Sequence, residues 1–337
     1  PTKMLLTKKF TAVEFADSSL KFRKPLWMVK VFNYEYWPWW FFYLPLLPYV
    51  LWMILRTGSV RFVSRVNPSM KLGGLAGESK KDILDGITSK YKPKTFLFSK
   101  NSSVEEITGT LGENSVSVPF IAKPNIGERG YRVEKIHNET ELIHYLQDNE
   151  NDFIIQEYVN FPLELGIFYV RQPGHLRGKV TSVTQKVFMT VHGDGYSTIR
   201  ELMEKDDRSR FQIKRMSGKL VHKMEFIPYP GEEVVLEHIG NHCRGTRFVN
   251  ANHLINDQLC EVFDNIATSI PGFYYGRFDL RVKSVEELYQ GESIRILELN
   301  GISSEPGHIY DPSYSLVNAY RDIIQHWKQA LSIALKQ

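Results

Sequence analysis

The chain has 337 residues, of which 42% are hydrophobic, 24% charged and 13% aromatic, a composition that excludes a disordered or collagen-like chain and leaves room for two or three packed units. Two cysteines, Cys243 and Cys260, are too few for a disulfide framework and lack the spacing of a zinc ribbon or redox motif, so a reducing compartment is expected. The net charge of +4 hides an asymmetry, because residues 1–72 carry 11 Lys/Arg against 3 Asp/Glu and the remainder 31 against 35.

The basic end is also the aromatic end. Trp27, Trp37, Trp39, Trp40 and Trp52 fall within the first 52 residues, and Tyr36 to Leu55 is a run of twenty residues without a charge. As a helix such a run is about 30 Å long, enough to span a bilayer. Pro38, Pro45 and Pro48 oppose one straight helix, however, and Trp and Tyr prefer the headgroup level. Lys21, Arg23, Lys24 and Lys30 precede the run and Arg56, Arg61 and Arg65 follow it, where anionic headgroups attract them. The expectation is a monotopic anchor or re-entrant hairpin on an anionic membrane surface. A buried subunit interface or lid, and a single span, are the competing readings. The apolar run begins late and no small-residue cleavage site follows it, which argues against a secretory signal. The protein is therefore expected to be cytoplasmic, peripheral or monotopic on the inner face of the cell membrane.

From residue 73 the chain changes character. Gly73 to Gly77 leads into a helix expected from about Ser79 to Thr88, with Lys80 and Lys81 at its entrance. Val118–Pro124 reads as a strand, residues 125–130 as a glycine turn and Tyr131–Ile136 as a second strand. A Rossmann or Walker site would have a helix after the glycines, so both are disfavoured. The backbone amides of such a hairpin can cover a polyphosphate, with Lys123 beside it. Asn138 and Glu141 form a capping-box-like start to a helix over 139–149. An apolar strand over 152–159 and another over 165–170 flank a short connector, a hinge suited to a flat purine. Ser197 or Thr198 caps a helix after a Gly-rich turn, Asn241 to Asn250 is a polar basic loop, and 254–270 is a helix. In the last third, two alternating strands place Arg277 with Asp279 and Glu298 with Asn300 on common faces. Two carboxylates and an amide are oxygen ligands of the kind Mg²⁺ accepts.

These motifs, FIAKPNIGERG, IIQEYV with Glu164, VHGDGYSTIREL, GTRFVN, GRFDLR and ILELN followed by Pro-Gly, stand in the order of one family. The chain resembles the ATP-grasp superfamily of carboxylate–amine ligases over about Gly77 to Asp311. Within it the chain is similar to D-alanine–D-alanine ligases, glutathione synthetases and the ATP-grasp module of cyanophycin synthetases. The resemblance implies an α+β fold in which two α+β subdomains sandwich ATP, with residues 73–160 as the small subdomain and 161–337 as the large one. Residues 1–72 form an atypical aromatic, basic segment before them. It also implies that Lys123 and Lys80 or Lys81 contact ATP phosphates beneath the hairpin with Gly127 and Gly130. Gln156 with the backbone of Glu157 and Val159 would read adenine, and Glu164 the ribose. Lys186 and Arg277 would hold the terminal phosphate and an acyl phosphate, and Asp279, Glu298 and Asn300 the magnesium ions.

Members of the family generally begin with a Rossmann-like domain, which residues 1–72 do not resemble. Two extra residues separate Asn300 from Pro306-Gly307, so Glu305 and His308 are expected to line an unusual acceptor site. The expected function is an ATP-dependent, ADP-forming ligase that activates a carboxylate as an acyl phosphate for attack by an amine, near a membrane. A membrane-associated nucleotide-binding protein without ligase activity and an ATP-grasp kinase are the alternatives. The expected partners are small-molecule or lipid-linked carboxylate and amine substrates, an anionic membrane surface and a second copy of the chain. Nucleic acid is not expected, since the basic segment carries no RNA-binding motif.

Overall fold

A computed structural model describes residues 23–127, 130–221 and 223–337. Residues 1–22, with Lys21 of the basic flank, and residues 128–129 of the expected hairpin lie outside the described residues.

Two antiparallel sheets organise the body, in agreement with the expected α+β class. The first contains β1 (Thr95–Phe98), β2 (Phe120–Pro124), β3 (Glu134–Ile136) and β4 (Phe153–Glu157), in the order β1-β4-β2-β3. The helices Val104–Glu113 and Glu139–Gln147 cover it, and Ile107, Leu111, Leu142 and Tyr145 interlock with Phe120, Ala122 and Phe153. The second contains β5 (Leu163–Val170), β6 (Lys179–Val187), β9 (Arg247–Asn250), β10 (Tyr275–Val282) and β11 (Arg295–Asn300), in the order β11-β10-β5-β6-β9. β7 (Thr190–His192) and β8 (Glu233–Val235) form a small ribbon beside it. The helix Asp257–Thr268 buries Leu259, Phe263 and Ile266 against β10.

Local signals explain most element starts. Ser79, Ser103, Asn138, Thr198, Asn256, Ser284 and Ser315 each accept a hydrogen bond from the backbone three residues on, satisfying an otherwise orphaned donor. Thr198 rather than Ser197 is the cap, in a full capping box with Glu201. The second strand of the glycine hairpin is shorter than expected. Val133 still donates to Gly130 O within the turn, and the strand spans only Glu134–Ile136. The expected helix 79–88 is Lys80–Asp85. Leu84 and Ile87, grouped by sequence with the first subdomain, bury themselves in the core of the second sheet.

The aromatic segment departs from the re-entrant hairpin among its expected forms. No hairpin forms within 36–55: Trp39–Tyr43, a 3₁₀ turn Leu44–Leu46 and Leu47–Thr57 follow one another as a single rod of 19 residues. Pro38 is the N-cap of the first turn, and Pro45 and Pro48 each occupy the first positions of the next one. A proline costs little there, because its missing N–H would have had no partner. By length and composition the rod could cross a membrane, yet one face is built into the body. Phe42 and Leu46 pack on Ile309, Ala319 and Ile323, and Met53 joins Phe62 and Val66 against Phe168, Tyr275 and Ala330. Ala319, Ile323 and Ala330 belong to the C-terminal helix Leu316–Lys336, so both ends of the described chain meet on one side of the second sheet.

Candidate active site

The five-stranded sheet gathers charge on one face. Strand alternation aligns Arg277, Asp279 and Arg281 along β10, and the register places Glu298 opposite Asp279, Asn300 opposite Arg277, Glu164 opposite Arg281 and Lys186 opposite Glu164. Asp279 is the hub: Arg277 reaches it at 2.9 and 3.1 Å, Lys186 at 3.2 Å, and the amide nitrogen of Asn300 at 3.3 Å. Burial pushes the Asp279 carboxyl up, but Arg277 and Lys186 outweigh this and hold it below the usual carboxylate range. The expected metal residues and the expected catalytic cations thus meet on one face of the sheet.

The first sheet closes over this face with Lys123. The residue is 7% exposed, and its ammonium donates to Gln156 Oε1 at 3.2 Å and to the Leu297 carbonyl at 3.1 Å, beside Glu298. Burial lowers its pKa from 10.5 to about 8, with Glu298 opposing the shift. Lys80 joins the same cluster, 3.8 Å from Glu298 and bonded to the Gly127 carbonyl. Lys81 does not: its ammonium pairs with Asp85 along the helix edge. Ser79 and the backbone of Lys81 bond the Asn125 side chain, which ties the lysine helix to the start of the glycine hairpin.

The hinge groups are engaged internally. Glu157 N donates to Lys94 O at 2.9 Å, and Val159 O accepts from Arg281 at 2.7 Å. Gln156 is buried between Lys123, Thr95 and Leu297. Glu164 holds Arg281 at 2.9 Å and Lys186 at 3.5 Å, and a Cβ on Gly240 would lie 1.8 Å from its Oε1, so the loop at Gly240 lies directly on the carboxylate.

Three residues not singled out from the sequence organise the site. Arg281 links β10 to the hinge through Glu164, Val159 O and His238 O. Its signal was present, since period two continues from Arg277 and Asp279 to Arg281. Arg244, in the polar loop, donates to Gly130 O at 2.6 Å and Val133 O at 2.9 Å, fastening the glycine turn to the second sheet. Gly130 has φ 71° and leaves only 2.9 Å between a notional Cβ and the Asn241 amide, which explains glycine there. The third is Tyr43, on the inner side of the N-terminal rod. Its hydroxyl and that of Tyr310 both bond the Glu305 carboxylate, and the Glu305 carbonyl accepts from Arg277 at 3.0 Å. Burial pushes the Glu305 pKa up to about 7, with the Tyr310 hydroxyl acting against it.

His308 does not line the cleft. It is 2% exposed, between Ser182 Oγ at 2.7 Å and Asp322 at 3.0 Å. These three have the connectivity of a nucleophilic triad, but Ser182 is fully buried, so the arrangement braces the C-terminal helix against β6.

No family model matches the chain, and no curated protein matches it in sequence. Among solved structures it is similar to a bifunctional glutathione synthetase from Pasteurella multocida, with 15% identity over 73% of this chain and 35% of that one, at a TM-score of 0.37. It is likewise similar to the D-alanine–D-alanine ligase from Bacillus anthracis complexed with ATP, with 14% identity over 76% of this chain and 65% of that one at 0.41. For the VanG D-Ala:D-Ser ligase from Enterococcus faecalis the values are 15%, 77%, 60% and 0.42. The chain thus spans about a third of the synthetase and about two thirds or less of these two ligases.

Proposed function

We propose that this chain is an ATP-dependent, ADP-forming ligase that activates a carboxylate as an acyl phosphate and passes the acyl group to an amine, working at a membrane surface. The observation that carries the chemistry is Lys123, a buried ammonium whose hydrogen-bond partners are neutral oxygens. A charge in that setting is costly until an anion arrives. Around it Lys80, Lys186, Arg277 and Arg281 bring the cations to five against the carboxylates of Glu164, Asp279 and Glu298. A polyphosphate supplies the missing negative charge.

In this reading Lys123 and Lys80 hold the phosphates beneath the turn of Gly127 and Gly130, and Arg277 and Lys186 take the terminal phosphate and the acyl phosphate oxygens. Such transfer depends on positioned cations, because negative charge shifts between oxygens while the protein itself supplies no nucleophile. Adenine is read at Gln156 and the backbone of Glu157 and Val159, once the hinge opens from Lys94 and Arg281. Glu164 reaches ribose only if Gly240 moves away. Magnesium would be held by the oxygens of Asp279 and Glu298, direct cross-strand partners, with the Asn300 side chain beside them, once Arg277 and Lys186 turn from Asp279 to phosphate and the Asn300 amide, whose nitrogen now faces Asp279, turns its oxygen inward. When bound, it neutralises phosphate oxygens and fixes the terminal phosphate in place.

The test pairs calorimetry with product analysis. MgATP should bind the wild type, and Glu298→Gln should lose magnesium-dependent ADP formation while the free protein still unfolds cooperatively. A screen of carboxylates and amines should release free phosphate with a new amide. Phosphate retained on the acceptor would indicate a kinase, and absence of MgATP binding would overturn the nucleotide reading altogether.

A further inference from the structure

The rod Trp39–Thr57 has two unlike faces. Phe42, Leu46 and Met53 are buried in the body, whereas Trp40, Leu44, Leu47, Leu51 and Leu55 recur at spacings of three and four and lie exposed, Leu55 at 81%. Spacing of this kind makes one continuous stripe along a helix, here about 25 Å long. Trp27 and Phe32, on the preceding helix Leu26–Phe32, are exposed as well. Large apolar side chains left together on a surface mark a docking site.

Charge identifies the occupant. Between residues 23 and 77 the chain contains seven cations, Arg23, Lys24, Lys30, Arg56, Arg61, Arg65 and Lys71, all exposed, and one acid. That acid, Glu35, is withdrawn from the surface: its side chain is 8% exposed and bonded to Arg208 and His242. The segment itself therefore shows the outside an apolar stripe and positive charges, of which Arg23 stands 3.9 Å from Glu204 of the body. A second copy of the same face would meet like charge, whereas an anionic lipid surface offers acyl chains for the stripe and headgroups for the cations.

We propose that this face docks flat on an anionic lipid bilayer, with the rod in the plane of the interface and without crossing it. Packing supplies the orientation. A span would surround the rod with lipid, and Phe42, Leu46 and Met53 would have to leave Ile309, Ile323 and Tyr275. The proposal rests on the membrane part of the proposed function and is independent of its chemistry.

Flotation of the full chain decides it. Vesicles of phosphatidylcholine mixed with phosphatidylglycerol should carry the protein at least about tenfold better than phosphatidylcholine alone, and added salt should narrow the difference. The triple variant Trp40→Ser, Leu44→Ser, Leu51→Ser should stay with the soluble fraction while its far-ultraviolet dichroism and cooperative urea unfolding are retained. Arg56→Glu with Arg61→Glu should abolish the preference for anionic lipid. Brominated lipids should quench tryptophan most when bromine sits near the headgroup. No flotation, equal flotation on both vesicles, or strongest quenching from bromine at the chain ends would each overturn the proposal. So would a sedimenting dimer that the triple variant dissociates without any flotation, since a second copy would then cover the stripe. MgATP calorimetry on the same samples separates the two readings: lost nucleotide binding with retained flotation sinks only the ligase.

Discussion

Lys123 sets a stability cost against a function. Its folded pKa, about 8, lies below the ordinary 10.5, so between these values the unfolded chain holds more protons and stability rises with pH; below about 8 the full penalty remains. Replacing the ammonium by a thioether of similar length, Lys123→Met, should therefore stabilise the nucleotide-free protein at pH 7 by about 1–3 kcal/mol, an advantage that shrinks as pH climbs toward 10.5. The same variant should weaken MgATP binding by about 1.5–3 kcal/mol. Urea unfolding across pH, with and without MgATP, checks both, and a destabilised variant would mean that Lys123 is structural. Glu305 runs the other way. Its pKa is raised from 4.5 to about 7, so the folded state holds the extra proton and stability is lost as pH rises through that window. Glu305→Gln should remove this loss, gaining about 1–3 kcal/mol on the wild type at pH 8 relative to pH 5, read from urea midpoints. Identical pH slopes would show the carboxyl titrating normally.

At the scale of elements, the N-terminal rod behaves as a core helix on one side and as a surface on the other. Phe42→Ala removes a ring packed between Tyr34, Tyr43 and Tyr320, and should cost about 3–5 kcal/mol. Leu47→Ser, on the opposite side, should stay within about 0.5 kcal/mol of the wild type. Chemical unfolding of the two variants measures the asymmetry, and similar losses would mean that both faces are covered. The lysine helix shows how little of such a decision lies in residue type. Lys80 and Lys81 are adjacent, and about 100° of helical rotation separates them, so one helix face cannot present both. Lys80 shares its stripe with Leu84 and Ile87, which are buried, while Lys81 lies four residues before its partner Asp85.

For the whole molecule, the aromatic segment is part of the body and not a detachable anchor. Met53 and Phe62 complete the core between Tyr275 and the C-terminal helix, Tyr43 bonds Glu305, and Glu35 bonds Arg208 far along the chain. Removing residues 23–60 would strip Phe168, Tyr275, Ile309 and Ile323 of their cover. Such a truncation is expected to lose near-ultraviolet dichroism and cooperative unfolding. A truncated chain that unfolds cooperatively and binds MgATP would show the two parts to be separable. Arg244 and Arg281 act at the same scale, each joining the second sheet to segments of the first subdomain more than a hundred residues away in sequence.

Local backbone geometry made several features legible in the sequence. Alternation along GRFDLR and ILELN puts Arg277 with Asp279 and Glu298 with Asn300 whatever surrounds them, because side chains on a strand repeat every two residues. The glycine turn after Lys123, the cap at Asn138, a cap at Ser197 or Thr198 and the charge-free aromatic run follow equally from residue chemistry. What required the tertiary structure was every relation across long separations: the pairing of Asp279 with Glu298, the choice of Lys80, the burial of His308 away from the cleft, and the meeting of Tyr43 with Glu305. The prolines of the N-terminal run show the limit most plainly. Their residue type argues against one helix, and only their placement at the first positions of successive turns, on a rod held by the C-terminal helix, permits it. Periodicity is set by neighbours in the chain, whereas partners are set by which faces of distant elements exclude water together, and no local pattern records that choice.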